Sequence, residues 1–337
     1  RGIQYCPEGL NFDDGFIWFE GTNSSLVQNH FSTIKALGDK LQRPVISVEH
    51  RGIGWSGDSF VHYKIEDVVT DLVYSLMDSI DQFKPTEASA SDYAKKVMVF
   101  GHSLGGGLGI AAAHRLRQHA LLIKAFSWAS YSSLSAVPKA LFGRLLLILM
   151  LFIGLMWPLF HMAALTLLWQ SFSYTVAGVL GAALCAYIIG TRAPNFFVTI
   201  IEWLLIRPMM ILTGWQLDII DQAKTLFDHN QLAFGHIMRA PEDLRSQSDS
   251  NVVSLLSRSG EDGFIFPEAS LTRAMEVHTR QKIGVSPQTA EFLKGAYSVN
   301  NTGVHCGAVY SHMLGPELAV TQEFKPVIDR IKGFYES

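Results

Sequence analysis

Residues Val97–Gly109 read VMVFGHSLGGGLG. A short apolar run ends abruptly in Gly101-His102-Ser103-Leu104-Gly105, and a segment of small residues follows with helical character. A G-x-S-x-G pattern acquires chemical meaning when it joins a strand to a helix, because the turn then holds the serine in a strained, outward-facing position. Gly101 and Gly105 stand where a side chain would collide with neighbouring backbone or sheet. Five residues are a weak signal in a chain with 28 glycines, so the weight of the reading rests on what surrounds them.

Outward from this stretch the chain alternates strand and helix. Phe16–Phe19 (FIWF) reads as a buried strand, and Ser25–Leu41 as a helix with apolar residues at Leu26, Phe31, Ile34, Leu37 and Leu41. Pro44–Val48 is the next strand and runs into the turn-rich segment Glu49–Gly57. Ile65–Phe83 is an amphipathic helix, Val97–Phe100 the strand before Ser103, Leu104–Arg117 a helix and Ile123–Trp128 another strand. Such alternation implies βαβ units and an α/β fold, a mostly parallel sheet flanked by helices.

The character then changes. From 145 to 191, 47 residues in a row include no Asp, Glu, Lys or Arg. At about 1.5 Å per residue this is roughly 70 Å of helix, enough for two bilayer spans of about 20 residues and a turn. Leu145–Trp169, kinked at Pro158, and Phe172–Gly190 are the expected spans; a helix pair buried in a soluble core is the alternative. Phe196–Ile211 carries Glu202, Arg207 and Pro208 and reads as an interfacial helix, with Trp203 and Trp215 near the headgroups. An even number of spans returns the chain to the side it left. Lys139, Arg144, Arg192 and Arg207 flank the open side, which the positive-inside tendency assigns to the cytoplasm.

Past this block the rhythm returns. Leu217–Leu226 reads as a helix, Asn251–Leu256 as a strand, Gly260–Gly263 as a turn, Pro267–Thr279 as a helix, Ala296–Val299 as a strand and Val320–Tyr335 as a closing helix. The expected organisation is a core in two parts, residues 1–138 and 213–337, with a hydrophobic helical cap or membrane hairpin at 139–212.

Composition narrows the function classes. Only 17% of residues are charged and mean hydropathy is +0.20, unusually apolar for a wholly soluble chain. The net charge is −3 with no long basic run, so no nucleic-acid footprint is present. Cys6, Cys185 and Cys306 lack paired or metal-ligand spacing and read as reduced thiols. The chain begins at Arg1, and a removed signal or anchor upstream stays open. No metal or cofactor is expected: His305, Cys306 and His312 lack an evident fourth ligand.

A serine hydroxyl becomes a nucleophile only when a base takes its proton, and that base needs an orienting carboxylate. Ser103, Asp262 and His305 occur in that order, each after an expected strand. Glu261 competes with Asp262 for the acid, and His312 with His305 for the base. The order resembles that of the α/β-hydrolase superfamily. Glu49–Gly57 is similar to its D-x-R-G-x-G-x-S loop, with Glu49 in place of Asp, and Gly260–Gly263 resembles the loop that carries its acid. The Gly21 region lies where these enzymes carry His-Gly, but Glu20 stands in the His position, a departure at one half of the expected oxyanion hole. The resemblance covers about 15–138 and 213–337.

It implies catalysis by Ser103, Asp262 and His305, with the N–H of Leu104 and one from Gly21 or Thr22 as oxyanion donors. His102 and Arg51 read as structural, Arg51 bracing its own loop, and Trp55 and Trp128 as core or pocket wall. A membrane hairpin at the cap position points to a lipid ester as substrate: a monoglyceride, lysophospholipid or phospholipid. A thioesterase, an acyltransferase using the same site, and an inactive membrane adaptor are the alternatives.

Overall fold

The computed structural model describes residues 2–21, 31–51, 63–128, 130–140, 200, 202–235, 269–271, 274, 275, 278 and 325–336. Two compact units divide the chain, residues 1–137 together with 211–337, and residues 138–210.

In the first unit the described strands are β1 (Gly2–Tyr5), β2 (Phe16–Glu20), β3 (Val45–Val48), β4 (Val97–His102), β5 (Lys124–Trp128) and β6 (Leu232–Gly235). They form a sheet in the order β1-β3-β2-β4-β5-β6. β1 runs antiparallel to β3, and every other pairing is parallel. The expected mostly parallel sheet with flanking helices is what forms. β2 and β4 are buried along their whole length, as parallel strands covered on both faces must be.

The covering helices follow from period two along the strands. Phe16, Trp18, Val97 and Val99 face one way and join a core with α2 (Ile65–Phe83), α4 (Leu104–Gln118) and α6 (Ile220–Asp228). Ile17, Phe19, Met98 and Phe100 face the other way, against α1 (Phe31–Leu41) and the closing helix α7 (Lys325–Glu336). The buried stripe of α2, from Ile65 through Val68, Val69, Leu72 and Leu76 to Ile80, has the spacing of a helix packed on one side. A short helix α3 (Ala90–Ala94), N-capped by Ser89, precedes β4. Lys124 Nζ donates to the carbonyls of Phe334 and Tyr335 at 2.9 Å each, tying the end of the chain to β5.

Several boundaries differ from the sequence reading. The helix expected from Leu217 begins at Ile220. Leu217–Ile219 instead form an extended contact with the chain after β5: Leu134 N–H donates to Leu217 O at 3.0 Å and Ile219 N–H to Ser132 O at 3.3 Å. β1 and β6 have no counterpart in the sequence reading. The expected strands Asn251–Leu256 and Ala296–Val299 lie outside the described residues, as does the apolar block 145–191.

The segment read as one interfacial helix is broken. A π-helical turn, Glu202–Ile206, precedes α5 (Arg207–Thr213). Pro208 has no N–H to donate back to the preceding turn, which is where such a break is expected. Among the described residues no helix is long and apolar enough to cross a membrane.

Candidate functional site

The order of the sheet locates the site before any side chain is considered. The chain steps from β2 to β3 on one side and then to β4 on the other, so the connections diverge between β2 and β4. Crevices at the carboxyl ends of such strands are where open α/β sheets bind ligands. Gly21 follows β2 there, and Ser103 follows β4.

Ser103 has φ 55° and ψ −117°. A side chain in that conformation is strained, and only glycine adopts it freely. The surroundings hold it in place. Ser103 N–H donates to Trp128 O at 2.9 Å, while Ser103 O accepts from Gly106 N–H at 3.1 Å and from the Ser130 hydroxyl at 3.0 Å. Backbone strain of this kind is enriched at functional sites. Its side chain accepts no capping bond from α4.

The two flanking glycines are required by backbone contact. A Cβ on Gly101 would meet Gly105 O at 2.4 Å. A Cβ on Gly105 would meet Glu20 O at 2.1 Å and Gly21 O at 2.5 Å. The first turn of α4 therefore rests directly on the end of β2. Leu104 opens α4, where the first N–H groups of a helix lack intrahelical partners and the dipole favours negative charge.

Glu20, where the sequence departs from the pattern it resembles, is 2% exposed. Trp18 Nε1 donates to its Oε2 at 3.1 Å, and its Oε1 pairs with His50 Nε2. Burial alone pulls the His50 pKa down, but the Glu20 charge and hydrogen bond, helped by Asp71, outweigh it and hold His50 above its ordinary value. Arg51 braces the same loop through a bidentate pair with Asp71 on α2. Together they border a cavity of about 250 Å³. Arg51 braces its loop as expected, but its Asp71 partner and the Glu20–His50 pair were not legible in the sequence, because Glu20, His50 and Asp71 come from three separate elements.

His102 and Trp128 are buried in the core. Thr22, Trp55, Glu261, Asp262, His305, Cys306 and His312 lie outside the described residues. The structure thus brings together Ser103, Leu104 and Gly21 of the expected site. Among the described residues no cluster of His, Cys, Asp or Glu is arranged to hold a metal ion.

No family model matches the chain, and no curated protein matches it. Among solved structures it is similar to the ferulic acid-bound Est1E of Butyrivibrio proteoclasticus, at 14% identity over 39% of this chain and 48% of that one, with a TM-score of 0.31. It is also similar to LAE6, an α/β hydrolase from the metagenome of Lake Arreo, at 21% identity over 42% and 44%, with a TM-score of 0.31. A third is EstE1, a thermostable carboxylesterase from a metagenomic library, at 18% identity over 42% and 47%, with a TM-score of 0.32. The chain spans less than half the length of each of these structures.

Proposed function

We propose that this chain is a membrane-associated serine hydrolase that cleaves a carboxylic ester of a lipid. The observation that carries the reading is the conformation of Ser103, φ 55° in a strand-to-helix turn at the point where the sheet connections diverge. In this reading His305 takes the hydroxyl proton as Ser103 Oγ bonds to the ester carbonyl carbon, and Asp262 stabilises the imidazolium. The N–H groups of Leu104 and of Gly21 or Thr22 bind the oxyanion; one such donor is worth about 3–4 kcal/mol of barrier. Collapse of the tetrahedral intermediate breaks the ester C–O bond, and His305 returns the proton to the leaving alcohol. Water, activated by the same histidine, releases the acid.

The lipid substrate rests on two observations. The sequence holds 47 consecutive residues without a charged side chain. In the second unit Trp203, Leu204, Leu205 and Met209 are exposed, with Arg207 stacked over Trp203 at 4.5 Å and Glu202 paired to Lys139 at 2.5 Å. A row of exposed apolar side chains with basic groups beside it suits a headgroup boundary. Turnover of a panel of monoglyceride, lysophospholipid and phospholipid vesicles, compared with a soluble short-chain ester, tests the reading. Deleting 145–191 is expected to spare the soluble ester and abolish turnover of bilayer lipids. Equal loss of both would count against a lipid-specific role for that block.

A further inference from the structure

We propose that Glu20 and His50 are positioning residues that fix the oxyanion-binding end of β2 against the nucleophile turn. The inference rests on the serine hydrolase reading above. Glu20 is the last residue of β2, and its two halves do different things. Its main-chain oxygen lies against Gly105 in the first turn of α4, so close that a single added carbon would collide with it. Its carboxylate is buried and held from two elements, by Trp18 Nε1 within β2 and by His50 beyond the end of β3.

The next residue, Gly21, carries the N–H expected to face the developing oxyanion. An oxyanion donor works only if it is already in place when charge appears, and small displacements of such groups are costly. Gly21 has no side chain to anchor it. The Glu20 carboxylate, one residue earlier, is buried and anchored by charge-assisted and neutral hydrogen bonds. The acid that breaks the family pattern at this position thus serves as the anchor of the donor that follows it.

The charge state of His50 is set from several directions. Glu20 faces it from β2; Asp71, Tyr74 and Asp78 on α2 line the same cavity, with Glu49 and Arg51 beside it in its own loop. Arg51 is committed to Asp71, and Glu20 pairs directly with His50. When protonated, His50 completes the anchor with a positive charge beside the Glu20 carboxylate, and its deprotonation removes that positive charge.

The test uses the full chain with His50→Ala and His50→Gln, a fluorophosphonate probe to count active sites, and p-nitrophenyl butyrate as substrate. Per titrated site, His50→Ala is expected to lower kcat about tenfold or more with KM within about twofold, the pattern of an interaction expressed in the transition state. His50→Gln keeps a donor that does not titrate, so it recovers most of that loss. It also flattens the decline in kcat expected of wild type as pH rises above the ordinary histidine range. Counting sites removes molecules that fail to fold. If His50→Ala yields no titratable sites, the alkaline profile of His50→Gln decides. Wild-type kcat in His50→Ala, or an alkaline profile of His50→Gln identical to wild type, overturns the positioning role while leaving the hydrolase reading intact. Wild-type protein that the probe does not label at Ser103 overturns the hydrolase reading and this inference with it.

Discussion

A Cβ built on Gly105 would lie 2.1 Å from the carbonyl oxygen of Glu20, so the helix after the Ser103 turn and the end of β2 touch through their backbones. Gly105→Ala cannot be absorbed by rotating a side chain, since the obstacle is main chain. It is expected to cost about 1–3 kcal/mol of stability, the usual range for overpacking. It also pushes apart the elements that carry Leu104 and Gly21, so esterase activity should fall by more than the loss of folded protein explains. Urea unfolding alongside activity per titrated site checks both parts.

The strain at Ser103 makes a second prediction. A non-glycine residue held at φ 55° costs about 1–3 kcal/mol. Ser103→Gly should therefore unfold at higher denaturant concentration than Ser103→Ala, although both are expected to be inactive. Equal midpoints for the two variants would mean that the turn stores no such strain.

The His50 pair makes a third, on stability. Its pKa is raised in the folded protein despite burial, because the Glu20 charge and hydrogen bond favour the protonated form. A raised value contributes stability that is complete below the unfolded pKa of about 6.5 and lost as pH rises through the folded value. Wild type should lose stability from neutral to alkaline pH. His50→Gln should lose less over the same interval, measured by urea midpoints at successive pH values.

The exposed apolar residues of the second unit give a fourth. Leu204 is 75% and Trp203 61% exposed. Replacing both with Asp should lower binding to anionic phospholipid vesicles in a flotation assay, while turnover of a soluble short-chain ester stays within about twofold, since each buried methylene contributes about 0.8 kcal/mol to membrane affinity. Unchanged flotation would remove this surface from the account.

Much of the central sheet was legible because its signals are local. Val97–Phe100 followed by Gly-His-Ser-Leu-Gly, and the periodicity of Ile65–Phe83, require no tertiary knowledge. β1 and β6 were not legible: Gly2–Tyr5 and Leu232–Gly235 are four residues each, and their pairing depends on β3 and β5 lying beside them. The start of α6 was misplaced because Leu217–Ile219 bond to Ser132 and Leu134, a contact that periodicity cannot register. At the site, Ser103 and its glycines could be read from spacing. The meaning of Glu20 could not. As a sequence position it looked like a defect in the oxyanion hole; in the fold its carboxylate belongs to His50 and Trp18, and its carbonyl to Gly105.

The central claim, that Ser103 is an activated nucleophile, is tested most directly by treating the full chain with a fluorophosphonate and locating the adduct by peptide mass spectrometry. The account predicts one adduct, on Ser103, with none in Ser103→Ala. An adduct that persists in Ser103→Ala, or folded wild-type protein that forms none, would contradict it.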